Sequence, residues 1–154
     1  MKKLKLTNGR FTMVDDNTYG LLMQHKWTID RSKKGYVIAT DMNLYERRMH
    51  RLIAGAKPGE SVDHIDGNPL NNQYTNLRIC THQQNCYNRK LNKNNTSGYK
   101  GVSWNRFIGK YTAQIKRNGK QIILGYFQDK KEAAFAYNEA AKKYYREFAS
   151  LNKL

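Results

Sequence analysis

The chain has 154 residues, and its 28 Lys and Arg against 12 Asp and Glu give a formal net charge of +16. This length suggests one ordinary domain or two small ones, and no stretch approaches the ~18 consecutive apolar residues of a membrane-spanning helix. Because the positive charge indicates a polyanionic partner and two cysteines are too few for a disulfide framework, we expect a soluble intracellular protein that binds nucleic acid.

The first 45 residues are predicted to form short strands and turns. The Asn8-Gly9 pair lies between two short apolar segments and indicates a β-hairpin. A short helix is predicted over 19–25, and a second pair of strands follows on either side of a basic turn at 31–35. Elements this short are expected to pack on the part of the chain that follows.

The next 45 residues are predicted to contain two helices and two strands around a long polar loop. A compact apolar segment at 48–55 is predicted to be a helix that stops at Gly55. After it the predicted order is strand, loop, strand and helix, at 61–65, 66–76, 77–80 and 81–89. Thr81 is the predicted N-cap of the last helix.

A polar segment at 91–97 has no hydrophobic periodicity and is predicted to be a linker between two domains, 1–90 and 98–154. Both sides of the chain are basic. Residues 1–90 contain 15 Lys and Arg against 8 Asp and Glu, a net +7, and residues 91–154 contain 13 against 4, a net +9. Both parts are therefore expected to contact the polyanion.

The C-terminal part is predicted to form three strands and one helix. The strands are at 99–105, 110–117 and 120–127. Asn118-Gly119 supplies a tight turn between the last two strands, and Asp129 is predicted to cap a helix over 130–148. The predicted fold class is thus α+β: a small β-rich unit and a strand, loop, strand and helix finger at about 60–90, then a three-stranded antiparallel sheet packed on one helix.

The residues richest in chemical information are Asp63, His64, Asn76 and Asn85. Hydrolysis of a phosphodiester needs a base that works near neutral pH, for which imidazole is suited, and a divalent cation held by oxygen ligands. His64 can be the base, with the Asp63 carboxylate directly beside it. Asn85 in the predicted helix can return an amide oxygen to the same ion. Asn76 is placed to tie the long loop through hydrogen bonds to its backbone.

This pattern resembles the HNH nuclease motif, the ββα-metal finger, in the zinc-free form of phage and group I intron homing endonucleases. The resemblance covers about residues 45–90, and its motifs are at 49–53, 62–68, 76–78 and 85. It implies that His64 is the general base, that Asp63 and Asn85 are metal ligands, and that Asn76 fixes the loop.

The same resemblance implies a cofactor and a substrate. Asn85 stands where many HNH nucleases have His, and an oxygen ligand there favours Mg²⁺ or Mn²⁺ over a softer metal; no structural zinc is expected. The implied substrate is double-stranded DNA, bound by a monomer without any membrane partner. The implied location is the cytoplasm of a bacterial or phage-infected cell.

Other titratable residues near the motif have weaker assignments. Asp66 before a glycine is typical of a turn, so a metal role for it is secondary. His50 is expected to be structural or to contact phosphate rather than to be catalytic. Cys80 and Cys86 lack the paired spacing of a zinc site and are expected to be small buried residues.

Residues 97–152 resemble the plant APETALA or ethylene-response-factor DNA-binding domain. The matching segments are 97–102, 109–115, 124–127, 132–137 and 151–152. In that family a three-stranded sheet lies in the major groove and a helix packs behind it. Several arginines of the plant pattern are replaced here, so no base target is implied. The candidate DNA-contacting residues of the whole chain are Arg51, Arg78, Arg89, Lys100, Trp104, Arg106, Lys110, Lys116, Arg117 and Lys120.

We therefore predict a site-targeted DNA endonuclease of the homing type. One alternative is a non-catalytic DNA-binding regulator with a decayed finger, against which the complete set of motif residues argues. Another is an RNA-binding basic protein, which explains the charge but not the adjacent Asp63 and His64.

Overall fold

The computed structural model describes residues 1–32, 34–41, 44, 46–89 and 91–154. Within that part of the chain the backbone forms small antiparallel sheets and short helices, which confirms the α+β class. Lys33 of the predicted basic turn and Lys90 at the end of the predicted first domain lie outside the described residues. The chain divides into two compact units, Met1–Cys86 (unit 1) and Tyr87–Leu154 (unit 2).

Unit 1 is built from strand pairs and short helices. The strand pairs are β1 (Lys2–Lys5) with β2 (Phe11–Val14), β3 (Trp27–Ile29) with β4 (Val37–Ala39), and β5 (Ser61–His64) with β6 (Leu77–Cys80). The helices are α1 (Asp16–Leu22), α2 (Met49–Ala54) and α3 (His82–Tyr87), in whose last turn unit 1 ends.

An apolar core packs between the first strand pairs and the helices of unit 1. Leu4, Val14, Leu22 and Trp27 are all buried in it. The indole N–H of Trp27 donates to the carbonyl of Leu22 at 2.7 Å, which satisfies a polar group inside this core. The predicted helix at 19–25 begins three residues earlier and ends at Leu22, whose carbonyl accepts from both the indole and the N–H of His25.

Unit 2 contains a three-stranded antiparallel sheet and one long helix. Its elements are β7 (Val102–Asn105), β8 (Lys110–Arg117), β9 (Lys120–Phe127) and α4 (Lys130–Tyr145), with a 3-10 turn at Arg146–Phe148. Asn118 and Gly119 both have positive φ in the β8–β9 turn, as the predicted tight hairpin requires. The Asp129 carboxylate accepts backbone N–H groups of α4 and is its N-cap.

Close packing of α4 on the sheet depends on small residues. Ala133, Ala134 and Ala141 are fully buried in the interface. Gly101 has φ +75°, and a Cβ atom there would lie 2.1 Å from Cδ2 of Tyr137, so no larger residue fits. Because of this turn, β7 begins at Val102 rather than at the predicted residue 99.

The two ends of the predicted C-terminal part also differ from expectation. The α-helix ends at Tyr145, three residues before the predicted end, because Arg146 takes a positive φ and the chain continues as a 3-10 turn. At the other end, the hydroxyl of Ser97 donates to the carbonyl of Val102 at 2.8 Å. The last residue of the predicted linker is thus buried in unit 2.

Candidate active site

The strand, loop, strand and helix of β5, β6 and α3 place the predicted catalytic residues. Asp63 pairs with Arg78 and His64 with Leu77 in the antiparallel ladder, so both candidates occupy the last two positions of β5. The chain turns immediately afterwards, and the N–H of Gly67 donates to the carbonyl of His64 at 2.8 Å. Neighbours on a strand point to opposite faces: the loop contacts His64 through Asn72, whereas Asp63 contacts Arg78 of β6.

The carboxylate of Asp63 is oriented by an ion pair. Its Oδ2 atom accepts from Nε of Arg78 at 3.0 Å and from Nη2 at 2.7 Å. Both side chains are largely buried, so this charge-assisted contact is little screened by water. Arg78 is a predicted DNA contact, and within the chain its guanidinium holds a candidate metal ligand in place.

The imidazole of His64 is buried and hydrogen-bonded. Its Nε2 atom lies 3.1 Å from Oδ1 of Asn72, a residue with no exposed surface. Burial lowers the pKa of His64, and the contact with Asn72 partly opposes that shift. His64 is therefore neutral at pH 7, the form in which an imidazole accepts a proton.

Two further rings surround His64. The Tyr36 ring is stacked on it at a centroid distance of 6.1 Å, and the His50 ring lies 5.1 Å away. His50 is buried, and desolvation, assisted by the nearby positive charges of Arg48 and Arg51, lowers its pKa to about 3. An uncharged, buried His50 does not offer a cation to phosphate, so the structure places it as a packing neighbour of His64.

Asn76 and Asp66 together hold the loop in shape. The Oδ1 atom of Asn76 accepts from the N–H of Asp66 at 3.1 Å, and its Nδ2 donates to the carbonyl of Asn71 at 2.8 Å. Burial alone would raise the pKa of Asp66, but hydrogen bonds from Asn68, Asn71 and Asn76 lower it overall. Asp66 thus uses its carboxylate oxygens within the turn.

The helix that carries Asn85 begins with a reciprocal cap. The hydroxyl of Thr81 accepts from the N–H of Gln84 at 3.2 Å, while the Gln84 side chain accepts from the N–H of Thr81 at 2.8 Å. Burial, with the nearby charge of Asp63, raises the pKa of the Cys80 thiol, which also contacts the backbone N–H of Asn85. Cys80 therefore adjoins both Asp63 and Asn85. Cys80 is buried as predicted, whereas Cys86 is only partly buried.

The donor set fits a hard divalent cation. In the described ranges no three His, Cys, Asp or Glu residues are grouped as metal ligands. Asp63 and Asn85 offer a carboxylate and an amide oxygen, and Mg²⁺ is commonly held by one or two such groups, with water and substrate phosphate completing its coordination. These two residues are thus the ones that could hold the ion.

The predicted DNA contacts of unit 1 and the adjoining segment fall into two groups. The guanidinium of Arg51 is bound to the carboxylate of Glu46 and to two backbone carbonyls, so it acts within unit 1, as Arg78 does. Arg89, at the start of unit 2, is exposed. These contacts give Arg51 a structural role within unit 1, and its contact with DNA stays a prediction.

Helix α4 covers one face of the sheet of unit 2. Three of the predicted DNA contacts do not lie on the opposite face of that sheet. Trp104 lies opposite Tyr111, whose ring packs into the core against α4. Arg117 lies over the ring of Tyr144 of α4 at 4.9 Å. The Nζ atom of Lys100 donates to two backbone carbonyls, and burial lowers its pKa to about 8. The sequence indicates these three residues only by the positive charge or the aromatic ring of their side chains, which does not tell which face they occupy.

The side of the sheet that α4 does not cover is the open face. The strand register shows which residues belong to it, because residues directly opposite each other share a face and successive residues alternate. Its residues are Ser103, Asn105, Lys110, Thr112, Gln114, Lys116, Gln121, Ile123 and Tyr126. Two predicted contacts, Lys110 and Lys116, belong to it. Arg106 lies in the β7–β8 turn, and Lys120 is the first residue of β9, opposite Arg117. Positive charge, the signal that predicts Lys110 and Lys116, does not indicate the polar uncharged members of this face.

Within the described residues, no helix is both long enough and apolar enough to cross a membrane.

Comparisons with known proteins agree with the arrangement in unit 1. A family model described as HNH endonuclease matches residues 47–87. An uncharacterized HNH endonuclease of Acanthamoeba polyphaga mimivirus is 33% identical over 152 residues, which cover 95% of this chain and 76% of that protein. Protein 3.8 of Escherichia phage T7 is 44% identical over 63 residues, 41% of this chain and 52% of that protein. No solved structure matches the chain.

Proposed function

The chain belongs to the HNH endonuclease family, and from that premise we propose that it is a metal-dependent, site-targeted DNA endonuclease of the homing type. The observation that supports this most strongly is the neutral, buried His64 beside the Asp63 carboxylate, at the point where β5 meets the Asn-rich loop. We further propose that it acts as a monomer in a bacterial or phage-infected cell, with domains at 1–90 and 98–154.

In the proposed reaction, His64 takes a proton from the water that attacks the scissile phosphorus. Arg78 keeps the Asp63 carboxylate oriented, and Asn76 keeps the loop closed against His64. A divalent cation held by Asp63 and Asn85 would stabilise the negative charge of the phosphate. The side chains of Asp63, His64 and Asn76 are held by hydrogen bonds already present in the unbound chain, so little ordering of them is required when DNA binds.

The proposed activity is tested by incubating the full-length protein with supercoiled plasmid in Mg²⁺. Conversion of the plasmid to nicked or linear DNA is expected. Retardation of the plasmid on a gel without any cut would instead support the DNA-binding regulator. Preferential binding of RNA, again without a cut in DNA, would support the RNA-binding alternative.

We also propose that unit 2 resembles the plant sheet domain in function as well as in pattern, and that its open face binds DNA. The support is chemical. The face combines Lys116 and Ser103, which are exposed, with the partly exposed amide of Gln114. Residues 91–154 carry a net charge of +9. Cations that contact phosphates and polar groups that contact base edges are both needed for placement on a duplex.

Lys116→Gln should lower the salt dependence of DNA binding more than Lys142→Gln does. Each substitution removes one positive charge, but Lys142 is on α4 and pairs with Glu139 at 2.7 Å, whereas Lys116 is on the open face. If Lys116 contacts a phosphate, the slope of log K against log salt should become shallower by about 0.9. Anisotropy titrations of labelled duplex in EDTA measure both slopes. Equal slopes for the two variants would place the interface elsewhere.

A further inference from the structure

A buried chain of hydrogen bonds runs from the β1–β2 hairpin to His64. Asn72, which has no exposed surface, is its central member. The Oδ1 atom of Asn72 lies 3.1 Å from Nε2 of His64. Its Nδ2 atom donates to Oγ1 of Thr12 at 2.8 Å and to the carbonyl of Pro69 at 3.2 Å. Thr12 is also fully buried.

Two backbone carbonyls determine the direction of this chain, because a carbonyl only accepts hydrogen bonds. The atom of Asn72 that approaches the Pro69 carbonyl must therefore be the Nδ2 donor. The hydroxyl of Thr12 gives its proton to the carbonyl of Leu70 at 2.8 Å, so its oxygen can only accept from Asn72. Both constraints place the acceptor, Oδ1, toward His64.

An acceptor at Oδ1 requires a proton on the nitrogen that faces it. Neutral imidazole carries one proton, so with Nε2 protonated the lone pair is on Nδ1. We propose that Asn72, supported by Thr12, is a positioning residue that holds His64 in the Nε2–H tautomer, and that Nδ1 is the atom that takes the proton from water. This inference rests on the proposed function of His64 as the general base.

Backbone pairing fixes Asn72 at the position that this role needs. The N–H of Met13 donates to the carbonyl of Leu70, and the N–H of Asn72 donates to the carbonyl of Met13, both at 2.8 Å. The loop is thus paired to β2 on the same stretch of backbone that carries Thr12. A segment of the chain that precedes the family match at 47–87 is in this way part of the active site.

The direct test is imidazole ¹⁵N NMR of the full-length protein without metal or DNA, with the His64 signals assigned from the His64→Ala spectrum. In the wild type at neutral pH we expect the Nε2 shift of a protonated nitrogen and the Nδ1 shift of an unprotonated one. The reverse assignment would overturn the proposal. Because this readout needs no cleavage, it decides the tautomer even if the proposed nuclease function fails.

Two substitutions then connect the tautomer to catalysis. Asn72→Leu keeps the side-chain size but removes the acceptor. Asn72→Asp keeps an acceptor toward Nε2–H but replaces the donor that faces the Pro69 carbonyl with an oxygen, so its folding is checked by circular dichroism before kinetics are measured. We expect Asn72→Leu to lower kcat roughly 10–100-fold with KM unchanged, the usual range when a partner that orients a ring is lost. Asn72→Asp should retain the Nε2–H tautomer and more of kcat. A folded Asn72→Leu variant with wild-type kcat would show that Asn72 is only structural.

Discussion

His64→Ala is expected to lower the rate of DNA cleavage by about 10²–10⁴-fold, the usual contribution of a general base, while affinity for DNA stays close to that of the wild type. The imidazole acts on water, and a neutral buried ring adds no charge attraction to phosphate. Single-turnover cleavage of plasmid measures the rate, and a gel-shift assay in EDTA measures binding.

His25→Ala is the matched control for this experiment. His25 also belongs to unit 1, but its ring pairs with Asp41 and contacts the edge of Trp27. We expect its substitution to leave the cleavage rate within a few-fold of the wild type. If His64→Ala cuts DNA as fast as His25→Ala does, the assignment of His64 as the base is wrong.

The main elements of the candidate site are predictable because they follow one another closely in the chain. A strand, an Asn-rich loop, a second strand and a capped helix within about 30 residues place Asp63, His64, Asn76 and Asn85 by local geometry alone. Short antiparallel pairing leaves few registers possible once one face is buried. The spacing of these residues is therefore informative without any long-range contact.

The hydrogen-bond and ion-pair partners of these residues are harder to predict, because they depend on contacts between segments that are distant in the sequence. The loop at 66–76 contains four asparagines, and composition does not tell which one reaches His64. That choice depends on Thr12, 60 residues earlier in the chain. Arg78 is another example: its charge predicts a phosphate contact, but its position opposite Asp63 in the ladder makes an ion pair the nearer partner.

The face assignments of unit 2 show how a local irregularity defeats simple periodicity. Alternation along a strand would put Ile123 and Tyr126, three residues apart, on opposite faces. A register shift next to Gln114 inserts one extra residue into β9, so Ile123 pairs with Gln114 and Tyr126 with Thr112 on the same face. Such a bulge is not encoded by hydrophobic alternation, and it decides which side chains reach a ligand.

Removal of divalent metal is expected to stop DNA cleavage altogether, and substitution of either proposed ligand should weaken it strongly. Asp63→Asn is preferable to Asp63→Ala, since asparagine keeps an oxygen that can accept from the largely buried Arg78, whereas alanine removes that acceptor as well as the charge. Asn85→Ala removes a neutral oxygen and retains the Asp63 carboxylate. Raised Mn²⁺ should therefore restore more activity to Asn85→Ala than to Asp63→Asn.

Asp66→Asn is the informative control for the ligand assignment. Asp66 is the other carboxylate close to His64, but the hydrogen bonds of the loop use its oxygens. Asp66→Asn should lower thermal stability but leave the dependence of the cleavage rate on Mg²⁺ concentration unchanged. Asp63→Asn should shift that dependence to higher Mg²⁺. A shift for Asp66→Asn alone would move the ligand role from Asp63 to Asp66. Undiminished cleavage in EDTA would reject the metal-dependent mechanism, because proton transfer at His64 would then be the only chemistry that the site supplies to the phosphate.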